Sequence, residues 1–119
     1  MSPNTDQEIR RIDALLNSTR TTSAAPSGRK DDAGKPRWSL IPERGLEEVV
    51  KVLTYGARKY GDDNWREVED GPRRYYDAAM RHLMAYRQGH WTDDESGLPH
   101  LAHAMASMLF IVALEREGQ

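Results

Sequence analysis

No cysteine occurs in the 119-residue chain, which rules out a disulfide framework, a thiolate nucleophile and any cysteine-built zinc site. That fits a reducing compartment. Long apolar runs are missing too. Nothing approaches the roughly 18 apolar residues of a membrane span, and the N-terminal stretch M-S-P-N-T-D-Q-E-I-R-R lacks the apolar core of a secretory leader. A cytoplasmic protein with no membrane partner is expected. Neither sign of charge is in large excess, with a net charge of -2 and a pI near 6.1, so the strongly basic footprint of a protein that binds a nucleic-acid polymer is absent. Local basic clusters could still hold a phosphate. Finally, no segment alternates polar and apolar side chains long enough to make a strand, and no internal repeat is present.

What remains is helical. With 38% apolar and 30% charged residues, a chain of this length is sized for one core and leaves much of its surface wet. Thr5 to Asn17 place Ile9, Ile12, Leu15 and Leu16 at helical spacing, with Asp6 and Glu8 in the first turn where the helix dipole favours negative charge. Ser18 to Arg37 has hardly an apolar side chain to offset the entropy of ordering it. Residues 1–30 are therefore expected to form an arm, a short amphipathic helix on a flexible linker, and residues 31–119 the globular domain.

Three longer helices follow. Trp38 to Ile41 reads as a short extended or turn segment, and Pro42 with Glu43 opens a helix running to about Tyr60. Its expected buried stripe is Leu46, Val49, Val50, Leu53 and Ala57, with Glu47 and Lys51 on one flank and Glu48, Val52, Tyr55 and Lys59 on the other. Gly56 inside it costs about 1 kcal/mol relative to Ala, which a close helix contact, a bound group or chance could explain. Gly61 to Trp65 is loop chemistry. Gly71-Pro72 restarts a helix that reaches Arg87, its stripe Tyr75, Tyr76, Ala79, Met80, Leu83 and Tyr86, with Asp77 and Arg81 spaced for a surface ion pair. The last helix is expected from Leu98 to about Glu117, with Leu101, Met105, Met108, Leu109 and Val112 as its buried seam. The fold class that results is all-α, a small bundle of three main helices plus the N-terminal one.

The stretch D-D-E-S-G-L-P-H-L-A-H, Asp93 to His103, gathers carboxylates and imidazoles at the start of that last helix. His100 and His103 share a helix face, with Ser107 one turn on. Hydrogen-bonded boundary histidines are one reading and a metal or catalytic site the other. Basic and aromatic clusters accompany it: Gly34 to Trp38 (G-K-P-R-W, with Lys35, Arg37 and Trp38), Ala57 to Trp65 (with Lys59, Asn64 and Trp65), and Arg81-His82. Lys and Arg suit phosphate oxygens, aromatic rings suit a base, and Asn can both donate and accept, so together these describe a nucleotide pocket. The common phosphate loop is excluded, because R-K-D-D-A separates Gly28 from Gly34 and Pro36 follows Lys35. Carboxylates at Glu47 or Glu48 and at Glu95 suit Mg²⁺, whereas His82, His100 and His103 suit a transition metal. That choice stays open on the residues alone.

The segments L-I-P-E-R-G-L-E-E-V-V-K-V-L-T-Y-G-A-R-K-Y-G-D-D-N-W, Y-Y-D-A-A-M-R-H-L-M-A-Y and D-E-S-G-L-P-H-L-A-H-A-M resemble the phage and bacterial dATP/dGTP diphosphohydrolase family, a branch of the MazG-like all-α nucleotide pyrophosphohydrolases. The likeness covers roughly Asp31 to Glu115. It implies a Mg²⁺-dependent enzyme, with Mn²⁺ as the alternative ion, that cuts a purine deoxynucleoside triphosphate between its α and β phosphates. It also implies a homodimer or homotetramer, in the cytoplasm of a bacterial host if the gene is a phage's. MazG-like enzymes hold metal with E-x-x-E and E-x-x-D, whereas here Glu47 and Glu48 are followed three residues later by Val50 and Lys51, and His100 and His103 stand in place of the second motif. The resemblance thus implies Glu47, Glu48, Glu95 and His100 as metal ligands and His82 and His103 as proton carriers. Lys35, Arg37, Lys59 and Arg81 would meet the polyphosphate, and Trp38, Asn64 and Trp65 the base or sugar. The competing reading is a non-catalytic helical interaction module. An HD-type triphosphohydrolase needs an adjacent His-Asp pair, and no His here precedes Asp.

Overall fold

The computed structural model describes residues 9–11 and 27–118. Ile9 to Arg11 are helical, and the rest of the helix expected over Thr5 to Asn17 lies outside the described residues. Residues 27–37 contain turns and no helix. The chain divides into two units, Met1–Arg37 and Trp38–Gln119, and the architecture below is that of the second. Three helices make it up: α1 (Glu43–Tyr60), α2 (Gly71–Arg87) and α3 (His100–Glu117), with 3-10 turns at Trp38–Leu40 and Asn64–Arg66. Among the described residues there is no strand. A lone antiparallel bridge joins Thr92 to Pro99.

Local chemistry sets the helix ends. Pro42 caps α1 in an extended conformation, Glu43 stands in its first turn and Arg58 and Lys59 in its last, each charge matching the dipole. Gly61, at φ 97°, ends it; only glycine takes that conformation without strain. Of the two readings of Trp38 to Ile41, extended or turn, the structure has the turn, a 3-10 one closed by Ile41 N–H donating to the Trp38 carbonyl at 3.0 Å. α3 begins at His100 and not at Leu98, because Pro99 has ψ 135° and the His100 N–H donates back to the Trp91 carbonyl at 2.8 Å. The segment before α3 is thus tied into a small loop.

α3 is the centre of the bundle. It pairs most extensively with α2 and also with α1, while α1 and α2 make no comparable pairing with each other. The core is thin: Val49 and Val52 of α1 meet Ala102 and Ala106 of α3, with Leu53 and Leu98 packed alongside. Ala79 and Ala104 are buried as well, and no large side chain is fully buried among the described residues.

The expected stripes are corrected accordingly. Val52, placed on a flank by its sequence position, is buried, whereas Leu46 and Val50 are exposed. On α2, Tyr76, Met80 and Tyr86 are exposed and Ala79 is the buried member. On α3 the whole anticipated seam, Leu101, Met105, Met108, Leu109 and Val112, faces outward at 36–54% exposure, and the alanines face in. α3 is apolar on nearly every side, so hydrophobicity could not choose between its faces. Small side chains are what allow the neighbouring backbones to approach, and that selects the alanine side.

Candidate functional site

Because α3 separates α1 from α2, a cavity of about 840 Å³ opens between those two helices, and residues of α3 line it too. α1 contributes Tyr55, Gly56, Lys59 and Tyr60. From α2 come Arg73, Arg74, Asp77, Arg81 and His82, and from α3 His103, Ser107 and Phe110. Gly56 contacts no neighbour that a Cβ would strike. Its missing side chain therefore widens the cavity; no helix packs against it there.

The loop before α3 positions the acidic residues. Asp93 N–H donates to the Leu98 carbonyl at 2.8 Å and Gly97 N–H to the Asp93 carbonyl at 2.7 Å, with Gly97 at φ 72°. The folded loop lets Asp93 Oδ2 accept from the Ser96 backbone N–H at 2.9 Å and from the Ser96 hydroxyl at 3.0 Å. Burial raises the Asp93 carboxyl, but these two hydrogen bonds, helped by His103 and His82, outweigh it and leave the pKa below its ordinary value. Asp93 is an anion at neutral pH.

Three imidazoles stand beside it. His82 and His100 face one another with their Nδ1 atoms 2.8 Å apart. His103 stacks on His82 at 4.6 Å between ring centroids, and its Nε2 lies 2.7 Å from the Ser96 hydroxyl. That hydroxyl gives its proton to Asp93 and accepts the Leu98 N–H at 3.2 Å. His103 must then carry its proton on Nε2 and keep the Nδ1 lone pair free, a tautomer assigned from the network. Burial lowers the pKa of both His82 and His103; neighbouring imidazoles push the same way, and Asp93 pulls partly against them. Both are neutral at pH 7.

Lys59 and Glu95 form an ion pair at the cavity. The hydrogen bond to Glu95 is the main reason the Lys59 ammonium is held well above its usual pKa, and the same bond, with Tyr55 nearby, holds Glu95 below its own. Arg81 lines the cavity without a carboxylate partner among the described residues. The anticipated Asp77–Arg81 pair is not made, because Arg73 holds Asp77 at 3.4 Å as well as Asp70. Arg81 is thereby left available to an anion.

The fold brings His82, His103, Lys59, Asn64, Trp65, Arg81 and Glu95 to one cavity, with His100 touching His82 from the edge. Trp65 is committed elsewhere: Phe110 stacks on one face at 4.7 Å and the Arg66 guanidinium lies 4.2 Å from the ring centroid. Only its edge is left for a ligand. Glu48 pairs with Lys51 at 2.9 Å, Glu47 lines a separate shallow groove, and neither lines the main cavity. Trp38 is 79% exposed and away from the cavity lining, while Lys35 and Arg37 belong to the other unit of the chain.

Sequence reasoning missed Asp93 as the carboxylate nearest the histidines, and Arg73, Arg74 and Tyr55 as lining residues. For Asp93 a signal existed. The D-x-x-S spacing before Gly97 is that of an aspartate accepting from a backbone N–H in a turn.

The chain is 42% identical over 85 residues to a "dATP/dGTP diphosphohydrolase" of Salmonella phage PMBT28, an alignment covering 71% of this chain and 29% of the relative. It therefore spans less than a third of that protein's length. No solved structure matches the chain. The family model described as "dATP/dGTP diphosphohydrolase, N-terminal" matches residues 25–119, and with the cavity and its histidine-acid cluster lying inside that span, the chain belongs to the dATP/dGTP diphosphohydrolase N-terminal family.

Proposed function

We propose that this domain hydrolyses purine deoxynucleoside triphosphates, dATP or dGTP, between the α and β phosphates to a monophosphate and pyrophosphate. The observation that carries this reading is one cavity, of a size suited to a nucleotide, holding an arginine without a carboxylate partner among the described residues, an exchangeable Lys–Glu pair and a neutral histidine with a free lone pair. Arg81 meets the polyphosphate directly. Lys59 joins it by releasing Glu95, an exchange of one oxyanion for another with little change in desolvation. Asn64 and the edge of Trp65 contact sugar or base.

In the hydrolytic step a water oxygen bonds to a phosphorus flanking the α–β bridge, the bridging P–O bond breaks, and the water's proton passes to His103 Nδ1. Ser96 and Asp93 hold that ring in the tautomer the step requires. A divalent cation, when bound, neutralises phosphate charge and acidifies water. Mg²⁺ commonly takes one or two carboxylates plus substrate phosphates, and Glu95, once released by Lys59, would be one of the cavity carboxylates able to hold it. Within one chain Glu47 and Glu48 do not join Glu95, so an all-carboxylate cage is not assembled there.

The same reading includes assembly into a dimer or tetramer of identical chains. A core this thin is marginal alone, and the outward α3 residues offer a contiguous apolar surface for a second copy. The test is incubation of the chain with each of the four dNTPs and Mg²⁺, resolving the phosphorus products. Release of pyrophosphate from dATP or dGTP is expected, reduced about 10²- to 10⁴-fold by His103→Ala. A chain that binds these nucleotides and leaves them intact would instead be a helical interaction module.

A further inference from the structure

We infer that His82, Asp93 and His100 form a binding site for one first-row transition-metal ion. This deepens the proposed function by naming ligands at the edge of the same cavity, and it contrasts with the Mg²⁺ ligand set of Glu47, Glu48, Glu95 and His100 that the family resemblance implies.

Each of the three residues offers a ligand atom, and these atoms lie within 4.8 Å of one another; no other such group exists among the described residues. The two histidines come from α2 and from the first position of α3. Their Nδ1 atoms point at each other across 2.8 Å. Two nitrogens bound at about 2.0–2.1 Å to a tetrahedral ion stand about 3.3 Å apart, so an ion needs the rings to part by only about half an ångström. All three side chains are partly buried, which spares them most of the competition from water.

The carboxylate is held in advance. Ser96 occupies Asp93 Oδ2 with two hydrogen bonds and leaves Oδ1 for an ion, the kind of outer support that orients metal ligands. Two imidazoles and one carboxylate favour Mn²⁺, Co²⁺ or Zn²⁺ over Mg²⁺, a hard ion that prefers oxygen throughout. Glu95 cannot complete an oxygen-rich set while Lys59 holds it.

The test uses the full chain, stripped with EDTA and titrated with Co²⁺ in excess Mg²⁺, read by calorimetry and by the visible absorption of bound Co²⁺. One Co²⁺ per chain is expected, not displaced by Mg²⁺ and displaced by Zn²⁺. His100→Ala, His82→Gln and Asp93→Asn should each weaken binding about tenfold or more, with helicity checked by circular dichroism. Absence of binding to the wild-type chain overturns the inference, as does loss of binding in Glu48→Gln with retention in His100→Ala. Pyrophosphate release is assayed on the same samples. Co²⁺ bound without any hydrolysis keeps the metal site and removes the proposed activity; full hydrolysis by His100→Ala in Mg²⁺, with wild-type Co²⁺ affinity, removes the site and keeps the activity.

Discussion

The inward and outward sides of α3 are both apolar, yet they do opposite things. Inward, Ala102 and Ala106 let α1 approach, and Ala104 is fully buried. Outward, Leu101, Met105, Leu109 and Val112 remain 36–54% exposed among the described residues. The side with the larger hydrophobes is the one left open. Close approach of backbones, which small residues permit, has outweighed the area that large ones could bury, and the surplus apolar surface is the face that the proposed self-association would use.

The largest test of that contrast is to charge the outward side. Met105→Glu combined with Leu109→Glu should shift the proposed dimer or tetramer to monomers, weakening self-association about 100-fold or more because each carboxylate would be buried without a partner. Light scattering after size-exclusion chromatography reads the mass, and an unchanged oligomer would show that this face is not the interface. Filling the inward side should act on stability instead. Ala104→Leu forces a side chain into a fully closed position, and urea unfolding should show a loss of about 1–3 kcal/mol.

The polar part of the inward side, around the cavity, behaves differently again. Gly56→Leu points into open space, so it should raise helix stability by up to about 1 kcal/mol while raising the KM for dATP or dGTP. A stabilised variant with unchanged KM would place the nucleotide elsewhere. The shallowest effect is on pH. His82 and His103 have pKa values lowered below 6.5 in the fold, so the unfolded chain binds more protons near and below that value. Their contribution to stability is present above pH 6.5 and lost as the pH falls below it toward the folded values. Urea midpoints of the EDTA-treated chain between pH 5 and 7 should rise with pH, and His82→Gln should flatten the curve.

Much of the fold was legible locally. Gly71-Pro72 opens α2 and the helix ends at Arg87 as anticipated, just before Gly89 at φ 93°, and Pro42 and Gly61 bracket α1, because these residues act on their own backbone. The cavity's cast was partly legible, since Lys59, Asn64, Arg81, His82, Glu95 and His103 are of the right chemical types. Their partners were not. That Arg73 would take Asp77 and free Arg81, or that Arg66 and Phe110 would occupy the faces of Trp65, depends on which rotamers meet after the helices pack.

The sequence by itself determined three helices, their ends and the crowding of acids and histidines before α3, all consequences of side chains acting within a turn or two of chain. Tertiary structure alone decided which side of α3 lies inside and that Asp93, not Glu48, stands with His82 and His100. Both depend on how closely separate helices can approach and on how the loop before α3 closes, and a pattern of hydrophobicity does not encode either distance.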